Sequence, residues 1–326
     1  MREVTLFFRA KGYEYSIEKV FYTIAEILNL WDFKYLPFFR LTPMNVLRNV
    51  YYILRNVNHN GINHATGDIH YAILFMFHVK TVLTVHDLGL METHNRLKRL
   101  FFKYLWYYFP AKCADVVTCI SEKTKTDLVD LLGCSGENIK VIHNPVGTGF
   151  KYVNRSFNQE CPVILHLGTR ENKNLLRVIR SLQGIKCKLR IIGKLTQEQL
   201  SLLKMCSIDF VNLFDLSDDD IIHEYEQCDI VSFPSTYEGF GMPIIEGQTV
   251  GRVVLTSNLE PMMSVSGGGA VYVDPYDVES IRKGFEKIID SSELRDVCIK
   301  EGLNNALMYQ SDYISKQYSE IYSALS

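Results

Sequence analysis

From Pro162 onward, short β-branched runs alternate with segments of helical period, and no other feature of the chain narrows its fold as far. The order is VILHLG, NLLRVIRSL, KLRIIG, QEQLSLLKMC, FVNLF, DDDIIHEYEQC, IVSFPS, PIIEGQTVG, VVLTSN, AVYVDP and VESIRKGFEKIID. Strands apolar on both faces, separated by amphipathic helices, call for a parallel sheet covered by helices and joined by right-handed crossovers. The first half repeats the scheme less cleanly through VTLFFRA, INHATG, TVLTVHD, VVTCIS and IKVIHNP, with helices starting near Ser16, Thr42, His70, Asn95 and Glu122. The expected fold is therefore α/β, with two Rossmann-like doubly wound parallel sheets. The length agrees, since 326 residues exceed the ~100–200 of one ordinary domain.

The polar, unpatterned stretch from Gly147 to Gln159 marks the join, giving a first domain over 1–156 and a second over 157–308. In open α/β sheets ligands bind beyond the carboxyl ends of the strands, so two such domains are expected to face each other across a cleft lined by those ends. The first half supplies Gly67, Asp68, His86, Asp87, Ser121, Glu122 and Asn144 there. The second supplies Gly168 to Lys173, Gly193, Lys194 and Tyr237 to Glu246.

The 8 cysteines form no CxxC pair and no zinc spacing, and read as buried small hydrophobes of a reducing compartment. The opening VTLFFRA lacks the zones of a signal peptide, and the apolar stretch Tyr71 to Val85 is broken by His78 and Lys80. A cytoplasmic, non-spanning protein is expected. The net charge of −2 conceals 19 Lys and Arg against 14 Asp and Glu through Glu160, then 16 against 23. Halves of +5 and −7 read either as two units with different partners or as two solvated surfaces of chance composition.

STYEGFGMPIIEGQTVG is the most informative stretch. Pro243 favours a helix's first turn, and a helix starting there aims free N–H groups and a positive dipole end at an anionic phosphate. Glu246 is expected in that first turn. Glu238 and Glu246 can each accept hydrogen bonds from vicinal hydroxyls, one from a ribose and the other from a sugar ring. The plainer reading is an acidic turn that complements the helix dipole. In the loop after VILHLG, Arg170 and Lys173 can pair with a nucleotide diphosphate, or be surface charge at a helix start.

These residues carry a resemblance. EGFGMPIIE resembles the paired-glutamate motif of the retaining glycosyltransferases of family four, which have the GT-B fold. LHLGTRENKNL resembles their glycine–basic phosphate loop, TVLTVHDLG their His-bearing strand end, and VVTCISEKTKTDL with IKVIHNP the closing strands of their first domain. The opening FFRAKGYEYSIEKVF is the weakest part, because many relatives have a Gly-Gly turn where this chain has only Gly12, and Thr169 stands where relatives often have arginine.

The resemblance implies a transferase moving a hexose from a UDP- or GDP-linked sugar, with retention, to a hydroxyl on a glycan or polyprenyl-linked acceptor, in surface polysaccharide assembly such as that of lipopolysaccharide. His86, Glu238 and Lys173 would be catalytic. Gly168, Thr169, Arg170, Lys173, Gly239, Phe240, Gly241, Met242 and Glu246 would bind the donor. No metal and no cofactor beyond the donor is implied, and residues 309–326 would cross back onto the first domain.

Each of these has an ordinary alternative. His86 also reads as a core histidine, Asp87 as a turn-maintaining carboxylate, and Asp68 as a cap for a helix starting at Ile69. Asp218, Asp219 and Asp220 follow the fitting N-cap Ser217, so they read as a helix start and not as a metal cluster. The stretch Arg96 to Lys112, RLKRLFFKYLWYYFPAK, has the composition of an interfacial helix on anionic lipid at the inner face of the cytoplasmic membrane, and equally that of an aromatic core helix with a basic wet face. Rival functions are a nucleotide-sugar epimerase and a non-catalytic nucleotide-sugar-binding subunit. A dehydrogenase would want GxGxxG after a strand, which is absent. No nucleic-acid partner is indicated.

Overall fold

A computed structural model describes residues 3–11, 16–38, 40 and 42–326; Gly12 lies outside them. The chain divides into two compact units, Met1–Pro145 with Gln310–Ser326, and Val146–Tyr309. The first unit has strands β1 (Val4–Phe8), β2 (Asp32–Tyr35), β3 (Ile62–Ala65), β4 (Lys80–Val85), β5 (Val116–Cys119) and β6 (Ile139–Val141). All are parallel, in the order β2-β1-β3-β4-β5-β6. Its helices before the second unit are α1 (Ser16–Leu28), α2 (Pro43–Asn56), α3 (Arg96–Phe101), α4 (Phe109–Cys113) and α5 (Glu122–Leu132). Thr42 caps α2 by accepting Asn45 N–H at 3.3 Å, with Pro43 in the first turn. Ser121 caps α5, and Gly133 ends it at φ 64°.

Two expected helices take other forms. Residues His70–Phe75 wind as a short 3₁₀ segment whose first four side chains are all buried, so no polar face favours a longer α-helix. The helix expected from Asn95 is α3, then a π-helical stretch Phe102–Tyr108, then α4. Pro110 in α4 has no N–H for the Trp106 carbonyl four residues back, and His70 Nδ1–H donates to that carbonyl instead, at 3.1 Å. Edge strand β2 lies in a run that the sequence left unassigned.

The second unit has β7 (Val163–Leu167), β8 (Lys188–Ile192), β9 (Asp209–Leu213), β10 (Ile230–Phe233), β11 (Val253–Ser257) and β12 (Val271–Val273). Their order, β12-β11-β10-β7-β8-β9, is that of a doubly wound dinucleotide-binding sheet. The helices are α6 (Leu175–Ser181), α7 (Gln197–Met205), α8 (Asp218–Gln227), α9 (Met242–Val250), α10 (Met262–Ser266), α11 (Val278–Asp290) and α12 (Ser292–Ala306). The chain then returns to the first unit as α13 (Ser311–Leu325), which packs beside α1.

The boundary at 156 moves earlier, because residues 147–156 belong to the second unit. Phe150 stacks edge-on with Tyr225, Arg252 donates to the Val153 carbonyl at 3.0 Å, and buried Asp229 accepts Arg155 Nε at 3.1 Å and Val163 N–H at 2.8 Å. A stretch without hydrophobic period is thus fixed by ion pairs and single aromatic contacts. In the first unit, α2, α4 and α5 cover one face of the sheet, while α1 and α13 cover the other. On the second face, buried His64 bonds Tyr322 of α13 and Thr84 of β4, each at 2.8 Å. All eight cysteines are free; five are buried as expected, but Cys113 is exposed.

Candidate functional site

Strand order reverses at β7 and β10, and the residues leaving these two strands meet. Lys173 Nζ lies 2.6 Å from Glu238 Oε1 and 4.8 Å from the centre of the Phe233 ring. Asn172 ties the two loops together: its Nδ2 donates to the Tyr237 carbonyl at 3.0 Å and to Glu238 Oε1 at 3.3 Å, and its carbonyl accepts Thr236 N–H at 2.9 Å. Gly168 has φ 92°, and a Cβ there would stand 2.7 Å from Lys173 Cγ, so only glycine lets the lysine stem cross the strand end. Thr169 donates to the Lys194 carbonyl at 2.8 Å, and Gln199 donates to the Thr169 carbonyl at 2.7 Å. Arg170 stands exposed at the start of the 3₁₀ turn Glu171–Lys173.

Helix α9 begins after Gly241, which has φ 114° and makes no side-chain cap. Pro243 has no N–H and Ile244 N–H is donated to the Gly241 carbonyl at 3.0 Å, so it is the Met242 N–H that the start of the helix leaves for an outside acceptor. Pro243 lies in this first turn as expected. Glu246 does not: it is the fifth residue of α9, one turn in. There the Tyr225 hydroxyl donates to Glu246 Oε2 at 2.5 Å. Burial, then the charge of Glu246, hold the Tyr225 phenol well above its ordinary pKa. Phe240 is buried against Tyr309, their ring centres 5.8 Å apart.

Helix α9 is anchored from behind by Gln248. Its Nε2 donates to the carbonyls of Ser266 at 2.8 Å and Gly269 at 3.0 Å, and its Oε1 accepts Asn305 Nδ2 at 2.8 Å. A Cβ at Gly302 of α12 would come within 2.9 Å of Gln248 Cγ, and one at Gly269 within 2.4 Å of Gly302 N. The acidic start of α8 is a capping box, in which Ser217 and Asp220 bond each other's side chain and backbone.

In the first unit the order reverses at β1 and β3. Arg9, leaving β1, is buried and forked onto Glu18 of α1 at 2.9 and 3.1 Å, and its Nη1 donates to Asp68 Oδ2 at 2.7 Å. Burial alone would lower the Arg9 pKa, but Glu18 and then Asp68 outweigh it and the net shift is upward. Asp68 takes φ 53° and does not cap the following turn, whose start at Ile69 has no side-chain cap; the arginine holds it instead.

His86 is buried, and its Nε2–H donates to the Thr66 carbonyl at 2.8 Å, which fixes the neutral tautomer with its lone pair on Nδ1. Burial lowers the His86 pKa against the opposing pull of the Thr66 carbonyl, Asp68 and Asp87. Gly67 permits this approach, because a Cβ there would lie 2.5 Å from His86 Cδ2. Asp87 accepts Gly89 N–H at 2.8 Å, the turn-holding role read as its alternative. Arg9, Asp68 and Asp87 line one side of a cavity of about 510 Å³, with Arg40 and the apolar Phe38, Phe102 and Trp106 among the other walls.

Arg9, Glu18 and Tyr225 were not among the residues picked from sequence, and Asn172 only as part of the stretch Gly168 to Lys173. Only Arg9 left a signal, a charge at the end of an apolar run.

Comparison with known proteins accords with both halves. The family described as glycosyl transferases group 1 matches residues 153–305, and the one described as Glycosyltransferase Family 4 matches residues 3–150. The serotype-specific mannosyltransferase WbdA of Escherichia coli is 26% identical over 64% of this chain and 29% of its own length. The chain thus spans under a third of that relative. The O-antigen chain mannosyltransferase B of Escherichia coli is 21% identical over 76% of this chain and 71% of its own. The crystal structure of Anabaena Alr3699/HepE in complex with UDP and glucose superposes with a TM-score of 0.81 over 99% of this chain and 100% of that one, at 14% identity, a likeness of fold.

Proposed function

The chain belongs to the family-four glycosyltransferases of GT-B fold, and from that premise we propose that it transfers a hexose from a nucleoside diphosphate sugar to an acceptor hydroxyl with retention of configuration. The observation that carries the reading is the Lys173–Glu238 pair beside the uncapped start of α9. Lys173 and Arg170 supply positive charge, and the start of α9 supplies the Met242 N–H and the positive end of its dipole, for a diphosphate. Glu246, held by Tyr225 on one oxygen, is the acceptor for the ribose hydroxyls. Glu238 is the acceptor for hydroxyls of the donor sugar, and gives up its bond to Lys173 as the phosphates take that cation. His86, neutral, helps position the donor sugar by accepting a hydroxyl at Nδ1.

In the transfer step the bond from the anomeric carbon to the phosphate oxygen breaks, and the bond to the acceptor oxygen forms on the same face. The departing phosphate takes the acceptor's proton, so no protein nucleophile is needed. Catalysis comes from orientation and from stabilising the charge on the leaving diphosphate, which Lys173, Arg170 and the α9 start provide without a metal ion. The acceptor belongs to the first unit, whose cavity combines aromatic walls with Asp68 and Asp87. The relatives' names, a serotype-specific mannosyltransferase and an O-antigen chain mannosyltransferase, favour mannose and a surface-polysaccharide glycan as acceptor. A polyprenyl carrier at the inner face of the cytoplasmic membrane is what the family resemblance adds.

The test is a panel of UDP- and GDP-sugars with polyprenyl-linked acceptors, with and without chelator, read by nucleotide release and by NMR of the product. An α-linked product from an α-linked donor, unaffected by chelator, is expected. A β-linked product would overturn retention, failure of every donor to bind would overturn the transferase reading, and loss of activity restored by manganese would overturn the metal-free step.

A further inference from the structure

Helix α2 is turned against the usual pattern. It buries Asn49 and Ile53, while Met44, Leu47, Tyr51 and Leu54 point outward at 59, 64, 58 and 50% exposure. Their spacing sets them on one stripe, with exposed Arg48 and Arg55 beside it and the Arg55 guanidinium 4.7 Å from the centre of the Tyr51 ring. The stretch that begins with α3 does the same. Helix α3 buries none of its side chains, and Leu97, Leu100, Phe101, Tyr104 and Leu105 are exposed.

The two stretches share one layer of the first unit. Asn49 of α2 donates to the Tyr71 hydroxyl at 2.9 Å, and the Tyr71 ring centre lies 5.4 Å from that of Trp106 in the π-helical stretch. Phe38 and Arg40, leading into α2, and Phe102 and Trp106 wall the same cavity.

Charge identifies what covers this layer. Residues 33–67 carry Lys34, Arg40, Arg48 and Arg55 and no acid, and residues 93–114 carry Arg96, Lys98, Arg99, Lys103 and Lys112 and no acid. A second copy docking by the same face would set cations against cations. A nucleic acid would meet the charges but leave Leu47, Tyr51 and Leu97 unmatched. An anionic bilayer offers phosphate at the depth of the basic side chains and acyl chain at the depth of the apolar ones.

We propose that α2 and the α3–α4 stretch together form a docking surface for anionic membrane, with Leu47, Tyr51, Leu97 and Phe101 entering the interface and Arg48, Arg55, Arg96 and Lys98 meeting the headgroups. The surface rests on exposure and charge and not on the transfer chemistry, so the two can fail separately.

The test is flotation of the full chain with phosphatidylcholine vesicles, with and without phosphatidylglycerol, for the wild type and for the pairs Leu47→Glu with Tyr51→Glu and Leu97→Glu with Phe101→Glu. The expected result is partition onto phosphatidylglycerol vesicles that falls steeply with salt, and about a tenfold or greater loss in each pair. Circular dichroism checks folding, and Arg48→Gln with Arg55→Gln probes the same face if the α2 glutamate pair does not fold. Wild type that stays unbound, variants that float like wild type, or equal binding to neutral vesicles would overturn the proposal. So would a dimer in sedimentation that Leu47→Glu disperses, which would make the face a protein interface.

Discussion

Each unit places a cation and a carboxylate where its strand order reverses, and the two pairs are built to different ends. In the first unit the cation is an arginine whose side chain is 9% exposed, forked onto Glu18 and bonded to Asp68. In the second it is a lysine at 22% exposure, with Glu238 as carboxylate and the Phe233 ring below. A planar guanidinium with two carboxylates is a fixed strut, whereas an ammonium on a flexible stem can be handed from Glu238 to a phosphate. One topology thus uses the same position for a fixed strut in one unit and, on the proposed function, for binding in the other.

The largest effect should come from breaking the strut. Arg9→Ala leaves buried Glu18 without its guanidinium and should cost about 3–5 kcal/mol of stability in urea unfolding, with donor affinity of the folded protein little changed. Lys173→Ala should do the reverse: a melting temperature near wild type, and kcat/KM lower by about 10²–10³-fold, on the order of 3–4 kcal/mol. Two variants that lost the same quantity would erase the distinction.

Acid should separate the units next. Burial pushes the imidazoles of His64, His70 and His166 down to about 3, and lowers His86 as well. An unfolded histidine titrates near ~6.5, so below that pH the unfolded chain binds more protons than the folded one. The stability these groups confer is complete above ~6.5 and falls by up to about 1.4 kcal/mol per pH unit for each histidine below it. His64, His70 and His86 are in the first unit and only His166 is in the second, so hydrogen exchange at mildly acid pH should show β3 and β4 opening before β7 and β10. Simultaneous opening would show that the units unfold as one.

The smallest effect tunes the second site. Tyr225→Phe removes one hydrogen bond from Glu246 and should weaken donor binding by about 0.5–1.5 kcal/mol in calorimetry. A loss as large as that of Glu246→Ala would mean that the tyrosine does more than orient the carboxylate.

The sheets were legible because buried parallel strands are apolar on both faces, and the start of α9 because Gly241 and Pro243 punctuate it. Strand β2 was not, since the four residues of DFKY at a sheet edge alternate too briefly to register. Lys173 and Glu238 were each picked out, but not as a pair: 65 positions separate them, and only the reversal of strand order brings them together. Arg9 was missed for the same reason, its partner Asp68 lying 59 positions on. Glu246 was set one turn too early because the start of a helix is read from its cap, and Gly241 caps with no side chain. The stretch 147–156 went to the wrong unit because Asp229 and Arg252, which hold it, come more than 70 positions after it.

The anchoring of α9 by Gln248 bears on how this chain could be recombined with its relatives. A chimera that imports the EGFGMPIIE segment alone would seat its helix on a foreign back wall, where an alanine in place of Gly269 or Gly302 already intrudes on its neighbours. The transplantable unit runs from Glu238 to Asn305, so donor preference should travel between relatives as that whole block, and not as the motif that makes it recognisable.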